Sequence, residues 1–103
     1  MIKVTVLYPS GEGKKFDIDY YSTHHMPMVQ RKCGPACTKI AVDRGIQGAA
    51  PGSKPAFAAI GYLYFESVDV FRSAFAPHAG EIMADIPNYT DIEPTIQISE
   101  VTV

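Results

Sequence analysis

The segment Phe57–Phe65, FAAIGYLYF, is apolar along its whole length. Read as a strand, it puts Ala58, Ile60, Tyr62 and Tyr64 on one face and Phe57, Ala59, Leu63 and Phe65 on the other. A strand of this kind belongs in the middle of a sheet whose two faces are both covered. The fold therefore has to supply two covers, and the rest of the chain shows where one of them comes from.

Ile2, Val4, Val6 and Tyr8 alternate with Lys3, Thr5 and Leu7, a first strand ended by Pro9-Ser10-Gly11. Asp17 is a good N-cap for a helix, with Phe16 and Tyr21 at the positions of a hydrophobic staple. That helix ends at Cys33, because Gly34 suits the position after a helix end and Pro35 cannot continue it. Cys37 to Ile46 reads as a second strand, and QGAAPGSKP, Gln47 to Pro55, as a surface loop. Ser67 caps a second helix in which Val68, Phe71, Phe75, Ile82 and Ile86 keep helical spacing, and Pro77 and Gly80 are expected to divide it. Thr95 to Val103 reads as the last strand.

The order is β-α-β-β-α-β, and 103 residues suffice for one domain spanning 1–103. Right-handed crossovers turn that order into an α+β, ferredoxin-like subunit: a four-stranded antiparallel sheet with both helices on one face. The other face is left for a second copy, so a homodimer is expected.

Charge and composition remove several classes of function. The net charge is −2 and the nine Lys and Arg residues are scattered, which gives no basis for nucleic-acid binding. No apolar run approaches the ~20 residues of a membrane span, and MIKVTVLYPSG lacks the pattern of a secretory signal, so a cytoplasmic protein is expected. Cys33 and Cys37 are not spaced as a CxxC redox pair and form no metal set with the histidines; both are read as reduced and structural. No glycine-rich phosphate loop appears, and no cofactor is expected.

The candidate chemistry lies in FDIDYYSTHHMPM, Phe16 to Met28. At 100° per residue, Ile18, Tyr21, His25, Met28 and Val29 share one stripe, while Tyr20, His24 and Pro27 fall opposite. His25 and Tyr21 thus face the sheet and His24 faces solvent. Pro27 removes an N–H and crowds the carbonyl of Thr23, which predicts a kink or local opening beside His25. Two roles stay open for His25: a core histidine satisfied by a carbonyl or by the Tyr21 hydroxyl, or a general acid/base lining a space under the helix. Met28 is placed in the wall of that space. His78, at the edge of the second helix's apolar stripe, either marks a boundary or faces the same space from the other side. Tyr89, in DIPNYTDIEP, either seals a helix end or packs over an opening.

FDIDYYSTHHMPM, with its tyrosine pair and His25-x-Pro27, and the closing FAPHAGEIMADIPNYTDIEPTIQISEV resemble the EthD family of the dimeric α+β barrel superfamily over nearly the whole chain. The family's namesake is associated with bacterial breakdown of alkyl ethers alongside a cytochrome P450 system. Related barrels include cofactor-free monooxygenases, muconolactone-type isomerases and polyketide cyclases, which bind small, mostly apolar molecules between sheet and helices. The resemblance implies a homodimer with a pocket under the first helix, and it carries a histidine role onto His25 alone. The resulting expectation is a cofactor-free enzyme or accessory in oxidative catabolism of small apolar or aromatic compounds. In it His25 handles a proton, Tyr21 positions it, and Met28, His78 and Tyr89 shape the pocket. The alternative is a dimer that binds and delivers a ligand without transforming it.

Overall fold

The computed structural model describes residues 1–103. Its strands are β1 (Ile2–Pro9), β2 (Lys39–Arg44), β3 (Phe57–Phe65) and β4 (Thr95–Glu100). Its helices are α1 (Ile18–Tyr20), α2 (Met26–Cys33), α3 (Val68–Phe75) and α4 (Ala79–Asp85). The sheet runs in the order β2-β3-β1-β4 with every pair antiparallel. This is the ferredoxin-like α+β arrangement, and β3 lies inside the sheet as its apolar sequence requires.

Local signals set the element ends. The Asp17 carboxylate accepts the Tyr20 N–H at 3.1 Å, and the Phe16 and Tyr21 rings meet edge to face at 5.1 Å, which completes the staple. Gly34 follows α2 with φ 66°, a conformation that favours glycine. Ser67 Oγ accepts the Val70 N–H at the start of α3. Pro77 lies in a 3-10 turn, Ala76–His78, that separates α3 from α4. Gly80 does not break the helix; it sits inside α4. β2 is shorter than the Cys37–Ile46 expected, because a 3-10 turn at Gly34–Ala36 delays its start. β4 likewise ends at Glu100 rather than Val103.

On β3 the helix-facing side is Ala59, Gly61, Leu63 and Phe65, all buried. They pack in a core with Val4, Tyr8, Tyr21, Met26, Val29, Ile82 and Tyr89. Cys33 and Cys37 are free and buried here, and burial pushes the Cys33 thiol up to about 11, so both are unreactive core residues. The other side of β3, with Ile60, Tyr62 and Tyr64, is half-buried. Lys3 and Lys39 lie over the Tyr62 and Tyr64 rings at 5.3 Å, and the Tyr62 hydroxyl donates to Asp43 at 2.7 Å. That face is an aromatic strip fringed by charges, not a uniformly apolar surface. No helix is long and apolar enough to cross a membrane.

Candidate functional site

The opening predicted beside Pro27 takes the form of a π turn. Between α1 and α2, Tyr21–His25 is wound so that the Met26 N–H reaches back five residues to the carbonyl of Tyr21. In such a turn residues five apart stack, so Met26 comes beneath Tyr21 and is buried, with 2% of its surface exposed. Met28 is rotated out to a half-buried position and does not line the cavity; its expected place is taken by Met26. His25 stays buried and His24 stays exposed, as the periodicity predicts.

His25 is held from the second helical layer. Its Nδ1 lies 2.9 Å from Oδ2 of Asp85, the last residue of α4. The other carboxylate oxygen, Oδ1, accepts the Tyr20 hydroxyl at 2.6 Å and the Asn88 amide at 3.0 Å. Burial pushes the Asp85 carboxyl up, but hydrogen bonds from Tyr20, Asn88 and His25 outweigh it and hold the group below the usual carboxylate range. Burial lowers the His25 imidazole more than Asp85 raises it, so its pKa lies below the ordinary histidine value. At neutral pH the pair is therefore a carboxylate and a neutral imidazole. Nδ1 carries the proton and donates it to Asp85, which leaves the lone pair on Nε2.

Around this dyad stands a group of phenols. The Tyr89 ring is 4.6 Å from the His25 ring, and the Tyr21 ring stacks on His25 at 5.6 Å. The Tyr8 and Tyr89 hydroxyls are hydrogen-bonded at 2.6 Å, and the Tyr8 and Tyr21 rings meet edge to face at 5.5 Å. Burial raises the pKa of all three, so all are neutral; the hydrogen bond from Tyr89 pulls back that of Tyr8. Gly61 makes this packing possible, because a Cβ there would overlap the Tyr21 hydroxyl.

Tyr8, Tyr21 and His25 are the polar side chains on a cavity of about 60 Å³ between sheet and helices, whose other walls include Met26, Phe75 and Ile96. Drug-sized ligands occupy ~300–1,000 Å³, so this cavity takes only the reactive end of a molecule. Its rim of Met83, Ile86 and Pro94 also borders an outer depression of about 750 Å³ along residues 86–94. A larger body has room there.

Of the residues singled out from sequence, His25, Tyr21 and Tyr89 come together. His78 does not: it sits half-buried on the 3-10 turn, off the cavity wall. Tyr89 is itself buried and forms the wall behind His25 rather than lining the inner cavity. Tyr20, assigned to the outer face, turns back to Asp85. The residues missed were Asp85, Tyr8 and Tyr20. Asp85 had one readable signal, since a carboxylate in the last turn of a helix opposes the helix dipole and needs a partner from elsewhere. Tyr8 had another: a tyrosine on the core side of a strand needs a partner for its hydroxyl.

An EthD domain model matches residues 10–93, a span that contains Tyr20, Tyr21, His25, Asp85 and Tyr89. The chain belongs to the EthD family. It is 33% identical over 91 residues to an uncharacterised 11.0 kDa protein of the thcB-thcC intergenic region of Rhodococcus erythropolis, covering 86% of this chain and 84% of that one. Its fold is similar to that of an EthD-like protein from Ralstonia eutropha, with a TM-score of 0.96, 48% identity, and coverage of 99% of this chain and 92% of that one. An EthD-family protein from Bacillus halodurans shares the fold at a TM-score of 0.66 and 22% identity, with 99% of each chain covered. Tyr20, Tyr21, His25, Asp85 and Tyr89 lie within the EthD match; Tyr8 on β1 and the cavity residues Pro94 and Ile96 lie outside it.

Proposed function

We propose that this EthD domain is a cofactor-independent enzyme that moves a proton on a small, neutral organic molecule, with His25 as the general base. The observation that carries the reading is the buried pair of His25 and Asp85 beside an apolar cavity. Asp85 fixes the ring and its tautomer and stabilises the imidazolium that forms, while Nε2 has no protein partner. No Lys or Arg lines the cavity, which favours an uncharged substrate over a phosphate or carboxylate. Proton transfer is the chemistry that an imidazole held by a carboxylate supplies directly, so isomerisation is the reaction these residues fit. The resemblance to the EthD family makes catabolism of small organic compounds the setting of this proposal. The second face of the sheet, with Ile60, Tyr62 and Tyr64, is the surface on which a second copy would pack.

The test is deuterium incorporation from D2O into a panel of small ketones, lactones and phenols, followed by NMR. The wild type is expected to accelerate exchange on at least one compound, and His25→Gln to reduce that rate by about 10²–10⁴-fold. A compound that binds in the cavity and is recovered unlabelled and unchanged after hours with excess protein would refute catalysis and favour delivery.

A further inference from the structure

The hydroxyls of Tyr8 and Tyr89 carry more protons than the acceptors they find. One bond joins them at 2.6 Å and uses one proton. One of the two protons therefore has no acceptor in the protein, whichever way the bond runs. When Tyr89 donates to Tyr8, the Tyr8 proton is the spare one. Tyr8 also lines the cavity with His25, whereas Tyr89 stands behind the wall. The cavity thus holds a free acceptor, Nε2 of His25, and a free donor, in a space otherwise built of aliphatic, methionine and aromatic side chains.

We propose that the Tyr8 hydroxyl is the donor for the oxygen of a neutral carbonyl substrate, held with its α-carbon against Nε2 of His25, so that the cavity is an enolisation site. The chemistry rests on His25 as base and adds the group that receives the developing charge. Nε2 takes the α-proton, the C–H electron pair becomes the C=C bond, and the carbonyl π pair moves onto oxygen. The Tyr8 O–H donates to that oxyanion, and Tyr89, by donating to Tyr8, makes it a stronger donor. The imidazolium, facing Asp85, then returns the proton to the same carbon, giving exchange, or to a vinylogous carbon, giving isomerisation. The inner space of about 60 Å³ admits the carbonyl and its neighbouring carbons, and the rest of the molecule extends past Met83 into the outer depression.

Phenolates mimic an enolate and test the donor separately from the base. The probes are 4-nitrophenol and a series of substituted phenols, each measured at a pH where it is ionised. Wild-type affinity is expected to rise with the basicity of the phenolate oxygen, and Tyr8→Phe to weaken binding by about 10–100-fold. His25→Gln should keep the basicity trend, because the donor is intact. A flat trend in the wild type, no phenolate binding at all, or wild-type affinity in a folded Tyr8→Phe would each overturn the proposal. If Tyr8→Phe does not fold, the wild-type trend decides alone. A rising trend together with absent deuterium exchange would uphold the oxyanion donor and sink the base.

Discussion

Gly61→Ala examines how Tyr21 reaches the sheet. Gly61 lies in the middle of β3, paired with Val6 on one side and Val42 on the other, so its backbone has neighbours on both edges and cannot retreat. A Cβ at this position would overlap the Tyr21 hydroxyl, approach Cζ of that ring at 3.0 Å and Cε of Met26 at 3.4 Å. The Met26 methyl can give way, but the phenol oxygen lies on the ring axis and no rotation about the ring moves it. The ring itself has to lift. Overpacking of this kind costs about 1–3 kcal/mol. Replacing glycine inside a strand returns about 0.5–1 kcal/mol. The net is about 0.5–2 kcal/mol of destabilisation, or about 2–10 °C in Tm for a chain of this length.

The control is Tyr21→Phe, which removes the offending oxygen. Alone it should change stability by no more than about 1 kcal/mol. In its background Gly61→Ala should cost almost nothing, a coupling of about 1–2 kcal/mol between the two positions. Urea denaturation of the four proteins, followed by circular dichroism, measures each term. An equal cost of Gly61→Ala in both backgrounds would refute the claim that the glycine exists to seat this hydroxyl.

Three further outcomes follow from the same geometry. Asp85→Asn removes the group that raises the His25 pKa, so the imidazole should titrate at still lower pH by NMR, with stability reduced by about 1–3 kcal/mol; an unmoved titration would show that the two groups are not coupled. Because the folded His25 pKa lies below its unfolded value, its neutral form favours the fold above pH ~6.5 and that contribution is lost as pH falls through the folded value. Asp85, also lowered, loses its own contribution as pH falls from about 3.8 through its folded value, so urea midpoints should drop in two windows, and His25→Gln should flatten only the upper one. Light scattering at micromolar concentration should give a dimer, with Ile60→Glu shifting it toward monomer while far-UV circular dichroism is preserved; a wild-type monomer would refute pairing through the open sheet face.

The fold was legible because its signals are local or strictly periodic. Asp17 with its staple, Gly34 after a helix and the two-sided apolar strand at Phe57–Phe65 each act within a few residues. Within the site the helical wheel places Tyr21, His24 and His25 correctly and fails for the residues that the irregular turns displace. A 100° wheel assumes one pitch throughout, and the chain departs from it twice, widening to a π turn at Tyr21–His25 and tightening to a 3-10 turn at Ala76–His78. The first exchanges Met28 for Met26 in the cavity wall, and His78 lies on the second, off that wall. Asp85 and Tyr20 escaped for a different reason: they meet 65 residues apart in sequence, and no spacing rule links them.

The π turn brings Met26 into the buried face that Tyr21 and His25 share. It buries Tyr21, His25 and Met26 together, two of them adjacent in sequence, while their neighbours Ser22 to His24 remain exposed. The ring is therefore positioned by backbone winding and by the seat of Tyr21 on Gly61, both in the first helical layer and the sheet. Its protonation is set from the second layer, by Asp85 and the groups that hold Asp85. Position and charge thus have separate supports. Gly61→Ala should move the imidazole and spare its tautomer, whereas Asp85→Asn should leave the π turn wound and release the tautomer, so a base that depends on both ought to lose rate by two routes that multiply rather than overlap.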